Sequence, residues 1–192
     1  ISATADGKTY GNRYTYNSKR QLSGITHNGF TYSMEYTPFG QLAKTKAGSR
    51  TLMTNTYGAN NGLLNRSTYG NGDYVDYTYD NLGRLTSRKL NGTVKHQWEY
   101  DSFGRNILYK DLVSGITHRY DYDPIGRVLG FRSSGNGYSM LAQYQYNKNN
   151  QISGTTYQIN GKDLKSTYSY NKDGQATNMQ LGDSSVFNFY DD

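Results

Sequence analysis

A tyrosine leading into a short polar turn comes round nine times in this chain, at Tyr16, Tyr36, Tyr57, Tyr79, Tyr100, Tyr122, Tyr146, Tyr170 and Tyr190, at intervals of 20 to 24 residues. Self-similarity at such a period marks an array of one supersecondary unit, in which each copy buries its apolar surface only against its neighbours. The chain is therefore read as a single array over residues 1–192. No linker or low-complexity boundary interrupts it. The Gly/Ser cluster Ser133-Ser134-Gly135-Asn136-Gly137 falls where a turn is due.

The unit is clearest at Tyr77-Thr78-Tyr79-Asp80-Asn81-Leu82-Gly83-Arg84-Leu85, and again at Tyr120-Asp121-Tyr122-Asp123-Pro124-Ile125-Gly126-Arg127-Val128. A type I turn takes Asp or Asn first and Pro second, and Gly at the fourth place can enter the left-handed region and close a bulged hairpin. Gly40, Gly83, Gly104, Gly126 and Gly174 fit that slot, as do Asn61 and Asn150, whereas Arg20 is an ill-suited occupant. A second set of turns lies between the first. Asn28-Gly29, Asn71-Gly72, Asn91-Gly92, Asn136-Gly137 and Asn160-Gly161 predict type I′ hairpins, with Gly48-Ser49, Ser114-Gly115 and Gly182-Asp183 in the same place elsewhere. Two turns per repeat make two antiparallel strands, and the array becomes a meander of roughly 17 or 18 strands with no helix longer than a turn.

Period-two alternation assigns the faces. Two residues before the key tyrosines stand Tyr14, Met34, Asn55, Tyr77, Trp98, Tyr120, Tyr144, Tyr168 and Asn188, with polar residues such as Thr15, Glu35, Thr78 and Asp121 between. Six residues after them come Leu22, Leu42, Leu63, Leu85, Val128 and Ile152, with Asn106 and Ala176 breaking the column. One face is expected to be a tyrosine and leucine surface, the other solvated. With 21 Tyr, 22 Gly and only 34% hydrophobic residues, its core rests on amphipathic rings rather than an aliphatic interior. The absence of Cys excludes disulfides and thiolate chemistry, and no apolar run approaches the roughly 18 residues of a membrane span.

The phased copies, among them Tyr100-Asp101-Ser102-Phe103-Gly104-Arg105, resemble the YD repeat, also called the Rhs repeat. That resemblance implies a spiralling β-sheet curling into part of a hollow shell, as in bacterial Rhs and wall-associated polymorphic toxins, shell components of insecticidal toxin complexes, and teneurins. It implies a secreted or cell-surface, bacterial setting, with the rest of its own shell and an enclosed C-terminal polypeptide as partners. A terminal repeat without a cap also implies a fragment of a longer array. Simple geometry is compatible, since 18 strands spaced about 4.8 Å apart span roughly 85 Å, the circumference of a cylinder some 27 Å across.

No catalytic motif, cofactor site or metal-ligand pattern emerges, and an enzymatic role is not expected. His96 and His118 fall in phase but on strands about 9.6 Å apart, which suits a packed or hydrogen-bonded role rather than shared ligation. Asp80 with Arg84, Asp101 with Arg105 and Asp123 with Arg127 read as turn caps with ion pairs, worth about 0 to 1 kcal/mol each. Asp123-Pro124-Ile125-Gly126 resembles the signature that ends Rhs cores, but further repeats follow, and it reads as an ordinary turn. The net charge of +6 is scattered, without the clustered stripe of a nucleic-acid surface. Regularly spaced aromatic rings leave glycans or cell-wall carbohydrate as the alternative ligand class.

Overall fold

The computed structural model describes residues 2–5, 8–182 and 184–188, with side chains over 11–182. Tyr190 and Asp183 lie outside these residues. The chain divides into two compact units, 1–94 and 95–192. The first holds β1 (Ser2–Ala5), β2 (Lys8–Tyr16), β3 (Leu22–His27), β4 (Phe30–Tyr36), β5 (Leu42–Ala47), β6 (Arg50–Tyr57), β7 (Leu64–Tyr69), β8 (Tyr74–Tyr79) and β9 (Leu85–Leu90). The second is built from β10 (Thr93–Tyr100), β11 (Asn106–Asp111), β12 (Ile116–Tyr122), β13 (Val128–Gly135), β14 (Tyr138–Tyr146), β15 (Ile152–Ile159), β16 (Lys162–Tyr170), β17 (Ala176–Leu181) and β18 (Ser184–Asn188). Within each unit every strand pairs antiparallel with its sequence neighbour, the all-β hairpin meander expected from the turn spacing. Among the described residues no helix is long and apolar enough to cross a membrane.

The turns after Tyr16, Tyr36, Tyr79, Tyr100, Tyr122, Tyr146 and Tyr170 take the expected bulged form. In Asp80–Arg84 the Asp80 N–H donates to the Arg84 carbonyl and the Gly83 N–H to the Asp80 carbonyl, both at 3.0 Å, with Gly83 at φ 78°. Arg20 adopts φ 61° within the same pair of bonds, so the hairpin imposes the left-handed conformation on a residue ill-suited to it. The turn after Tyr57 departs from expectation. It is one residue longer, running Gly58 to Leu63, and Gly62 rather than Asn61 has the positive φ, 66°. Leu64 in place of Leu63 then pairs with Tyr57. Glycine reaches that conformation without a Cβ penalty, and this outweighs the regular count.

Asn28-Gly29, Asn91-Gly92, Asn136-Gly137 and Asn160-Gly161 have positive φ at both positions, as a type I′ turn requires. Asn71-Gly72 does not: Gly72 alone is positive, at 92°, and Gly72 N–H donates to the Tyr69 carbonyl, a three-residue bulged turn like those after the tyrosines. Every return strand also carries a second irregularity. Tyr79 pairs with Leu85 but Thr78 with Ser87, which leaves Thr86 as the extra residue of a β-bulge, and the same shift recurs in the other repeats. A bulge strengthens local twist.

Among the described residues few side chains are fully covered, as expected where the strands of each unit contact only their neighbours in the sheet. Small residues sit beneath rings on the aromatic face: Ala142 is fully buried between its cross-strand neighbours Phe131 and Tyr157, and Ser133 lies between His118 and Met140. The other face is not wholly solvated. Leu108, whose cross-strand neighbours are Glu99 and Arg119, is only 2% exposed.

Candidate functional site: the clasp between repeats

Within each unit the residues that carry the repeat pattern converge on one device, a hydrogen-bonded clasp between successive repeats. It starts in the turn. Asp80 Oδ1 accepts the N–H groups of Leu82 (2.9 Å) and Arg84 (3.0 Å), while Oδ2 takes the Arg84 Nε at 2.6 Å. Asp101 with Arg105 and Asp123 with Arg127 repeat this geometry, their Nε–Oδ2 distances being 2.6 and 2.5 Å. Elsewhere an uncharged pair does the same work. Asn147 Oδ1 accepts from the Gln151 N–H at 3.0 Å while its Nδ2 donates to Gln151 Oε1 at 2.9 Å, and Asn17 with Gln21 and Asn171 with Gln175 match it. Aspartate thus goes with arginine, and asparagine with glutamine, four residues on. That covariation within the chain is visible in the sequence and marks the pair as a single unit.

The same side chain then reaches forward. Arg105 Nη1 donates to the Asp123 carbonyl at 2.8 Å, and its guanidinium lies 4.7 Å from the centre of the Tyr122 ring. Arg127 Nη1 donates to Asn150 Oδ1 at 2.9 Å and stacks 4.4 Å over Tyr146. Gln21, Gln41 and Gln151 reach the carbonyls of Gly40, Gly62 and Gly174 at 2.8, 2.6 and 2.9 Å. The sequence reading took Arg105 and Arg127 as ion-pair partners within their own turn alone and assigned the glutamines no role. Their second hydrogen bond, to the following turn, was not anticipated.

The key tyrosines close the clasp in the opposite direction. The hydroxyls of Tyr36, Tyr57 and Tyr79 donate to the carbonyls of Leu22, Leu42 and Leu64, at 2.8, 2.8 and 2.9 Å. Those of Tyr122, Tyr146 and Tyr170 donate to Asn106, Val128 and Ile152, at 2.9, 2.9 and 2.7 Å. Each acceptor is the first residue of the preceding repeat's return strand, next to the bulge. This is why tyrosine and not phenylalanine recurs. Burial holds the Tyr79, Tyr122 and Tyr170 phenols above the ordinary tyrosine pKa, which keeps them protonated as donors. Tyr146→Phe is expected to cost about 0.5–1.5 kcal/mol, the worth of a hydrogen bond whose acceptor loses its partner, read as a lower urea midpoint at unchanged m-value. Tyr16, 63% exposed, marks the other extreme of the column.

His96 and His118 have packed roles. His96, Tyr109, His118 and Phe131 form a stack across four strands, with successive ring centres 5.9, 5.7 and 5.5 Å apart, and His96 Nδ1 lies 2.8 Å from the Tyr109 hydroxyl. Tyr109 occupies the space between the two histidines. Among the described residues no three His, Asp or Glu side chains group as metal ligands. An open cleft of ≈ 620 Å³ beside the longer turn is bounded by Pro38, Phe39, Tyr57 and Ala59, and its lining contains no carboxylate, imidazole or amine. Asp123-Pro124-Ile125-Gly126 is a turn bonded to Arg127 like its counterparts.

No protein-family model matches the chain, and comparison with curated proteins finds no match. Among solved structures it is similar to the crystal structures of TcdB2-TccC3-Cdc42 and TcdB2-TccC3-TEV, each at 20% identity with TM-scores of 0.43 and 0.42. TcdB2-TccC3 without hypervariable C-terminal region matches at 21% identity and a TM-score of 0.43. Each match covers 94% of this chain and 9% of the other, so the chain spans about a tenth of the length of the structures it matches.

The charged clasps carry a pH dependence. The backbone N–H of Arg84 holds the Asp80 carboxyl below the usual aspartate range, with the Arg84 side chain adding to it. At Asp101 and Asp123 partial burial opposes ionisation, but hydrogen bonds from Arg105 and Arg127 outweigh it, and both carboxyls are also lowered. A depressed carboxylate contributes stability that is complete above its unfolded pKa, about 3.9, and is lost as pH falls through the lower folded value. Melting temperature is therefore expected to drop below about pH 4. A triple Asp80→Asn, Asp101→Asn, Asp123→Asn variant should start lower and show a shallower acid decline; equal slopes would count against the assignment.

Proposed function

We propose that the chain is a wall segment of a β-shell of the YD/Rhs-repeat type, in a secreted or cell-surface protein, and that the shell encloses a C-terminal polypeptide such as a toxin. Its role is structural rather than catalytic. The observation that supports this reading most is the two-way clasp: the turn side chain reaches the next repeat while the tyrosine hydroxyl reaches back to the previous one. Such a device lets strands be added indefinitely without a second layer or a helical cover, which is what a thin wall around a cavity needs.

The rival reading is a carbohydrate-binding array. Sugar rings stack on exposed aromatic faces and bond with free hydroxyls, yet the hydroxyls of Tyr36, Tyr57, Tyr79, Tyr122, Tyr146 and Tyr170 are committed to backbone carbonyls. Arg105 and Arg127 also cover the Tyr122 and Tyr146 rings. The tyrosine column is thus occupied by its own scaffold.

Limited proteolysis of the full-length gene product tests the shell. The C-terminal segment should survive a protease that digests the same segment expressed alone, and equal digestion rates would defeat enclosure. On glycan and cell-wall arrays at micromolar protein no saturable binding is expected. Saturable binding that disappears in a folded Tyr14→Ala, Tyr32→Ala variant would promote the carbohydrate reading.

A further inference from the structure

The chain carries six Asn-Gly pairs, at 28–29, 61–62, 71–72, 91–92, 136–137 and 160–161, all exposed in turns. Asn-Gly is the least hindered arrangement for an internal acyl transfer, because a glycine without Cβ lets its own backbone nitrogen close on the asparagine Cγ. On sequence alone the six are equivalent.

The fold separates them. Asn91 is held at both ends of its amide: Oδ1 accepts the Tyr74 N–H at 2.8 Å and Nδ2 donates to Asp73 Oδ1 at 2.7 Å. Asn160 Oδ1 accepts the Ser139 N–H at 2.9 Å, and Asn136 Nδ2 donates to the Ser114 carbonyl. These amides act as extra rungs of the sheet, binding each turn to the preceding repeat. At Asn71 the amide is tied to Asp73 by bonds of 2.7 and 3.1 Å, and the would-be nucleophile, the Gly72 nitrogen, is committed to the Tyr69 carbonyl at 2.9 Å. Asn61 is held likewise, its Oδ1 accepting the Leu63 N–H at 3.0 Å while the Gly62 nitrogen is committed to the Gly58 carbonyl at 2.9 Å.

Asn28 has none of these restraints. Its amide touches only its neighbour, Nδ2 lying 3.2 Å from His27 Nε2, and Oδ1 has no hydrogen-bond partner among the described residues. His27 Nδ1 faces Asn12 Oδ1 at 2.6 Å and so carries the proton, leaving Nε2 as the acceptor for Asn28.

We propose that Asn28 is the site at which this protein undergoes spontaneous deamidation, the fold leaving it open while locking the other five Asn-Gly pairs. The Gly29 backbone nitrogen bonds to Asn28 Cγ and loses its proton. The Cγ–Nδ2 bond breaks, and that nitrogen departs with the proton as ammonia. Water then opens the resulting succinimide at one of its two carbonyls, yielding aspartate or isoaspartate at position 28. Both products place a new carboxylate beside His27, and isoaspartate adds one methylene to the main chain inside the two-residue β3–β4 turn.

The test is peptide mapping of the folded chain during incubation in mildly alkaline buffer, with isoaspartate identified by enzymatic methyl labelling. Conversion at position 28 should run roughly tenfold or more ahead of position 91, the ratio expected when one added hydrogen bond restrains the reacting amide. In urea the six sites should convert at similar rates. The Asp73→Ala variant should raise conversion at Asn91 and leave Asn28 unchanged. Equal rates at the six sites in the folded chain, a lead at 61, 71, 91, 136 or 160, or an Asn91 rate insensitive to Asp73→Ala would each overturn the proposal. So would an Asn28 that stays intact in the folded chain while the unfolded chain converts.

Discussion

Truncating Leu108 to alanine is expected to lower the unfolding free energy by about 2–5 kcal/mol, the range for deleting a buried leucine when its surroundings collapse only in part. Among the described residues Leu108 is the largest side chain that is almost wholly covered, at 2% exposure, and it stands in the middle of β11 with a paired strand on either side. In a single-layer sheet most side chains keep one flank in water, so little else can absorb the loss. Urea denaturation provides the measurement. Leu82→Ala is the control, since Leu82 projects from a turn and is 74% exposed; its effect should stay within about 0.5 kcal/mol. Equal midpoints for the two variants would show that Leu108 is not a packing centre.

Gly135→Ala should be similarly damaging, at roughly 2–6 kcal/mol, by adding backbone strain to overpacking. Gly135 has φ 153°, a region that side-chain-bearing residues rarely enter. A Cβ there would stand 2.1 Å from the Gly115 carbonyl oxygen and 3.0 Å from the Ile116 Cα. Both are main-chain atoms, and no rotamer change can clear them. Gly137 supplies the comparison two residues on: its φ is 77°, yet nothing lies within 4 Å of an added Cβ. Gly137→Ala therefore reports strain alone, and the difference between the two variants isolates the collision. Thermal melts that coincide would mean that β12 and β13 are not so close at that point.

Much of the fold was legible because its rules act over a few residues. The alternation around Tyr79 and Tyr122, the bulged turns at Gly83 and Gly126 and the type I′ turns at Asn91-Gly92 and Asn160-Gly161 follow from the conformational reach of individual residues. Two local readings failed for the same kind of reason. Counting from Tyr57 selected Asn61 and Leu63, and the dipeptide Asn71-Gly72 suggested type I′. In both places a glycine took the sole left-handed position and shifted the turn type.

The candidate site was half visible. Tyr, Asp, Gly and Arg at fixed spacing identified the repeat, and the pairing of Asp with Arg and Asn with Gln was available to inspection. What the Arg105 and Arg127 side chains touch beyond their own turn was not, because the partner lies 18 or 23 residues away and is set by how adjacent hairpins align.

The sequence by itself determined strand length, turn chemistry and the face each side chain occupies, because these depend on backbone torsions and on a period of two. Only the tertiary structure decided that the tyrosine hydroxyl binds the previous repeat's carbonyl, that Leu108 is covered on the supposedly solvated face, and that the Asn28 amide meets only its sequence neighbour. Each of these depends on register between strands a repeat or more apart, where one bulge per hairpin resets which atoms meet.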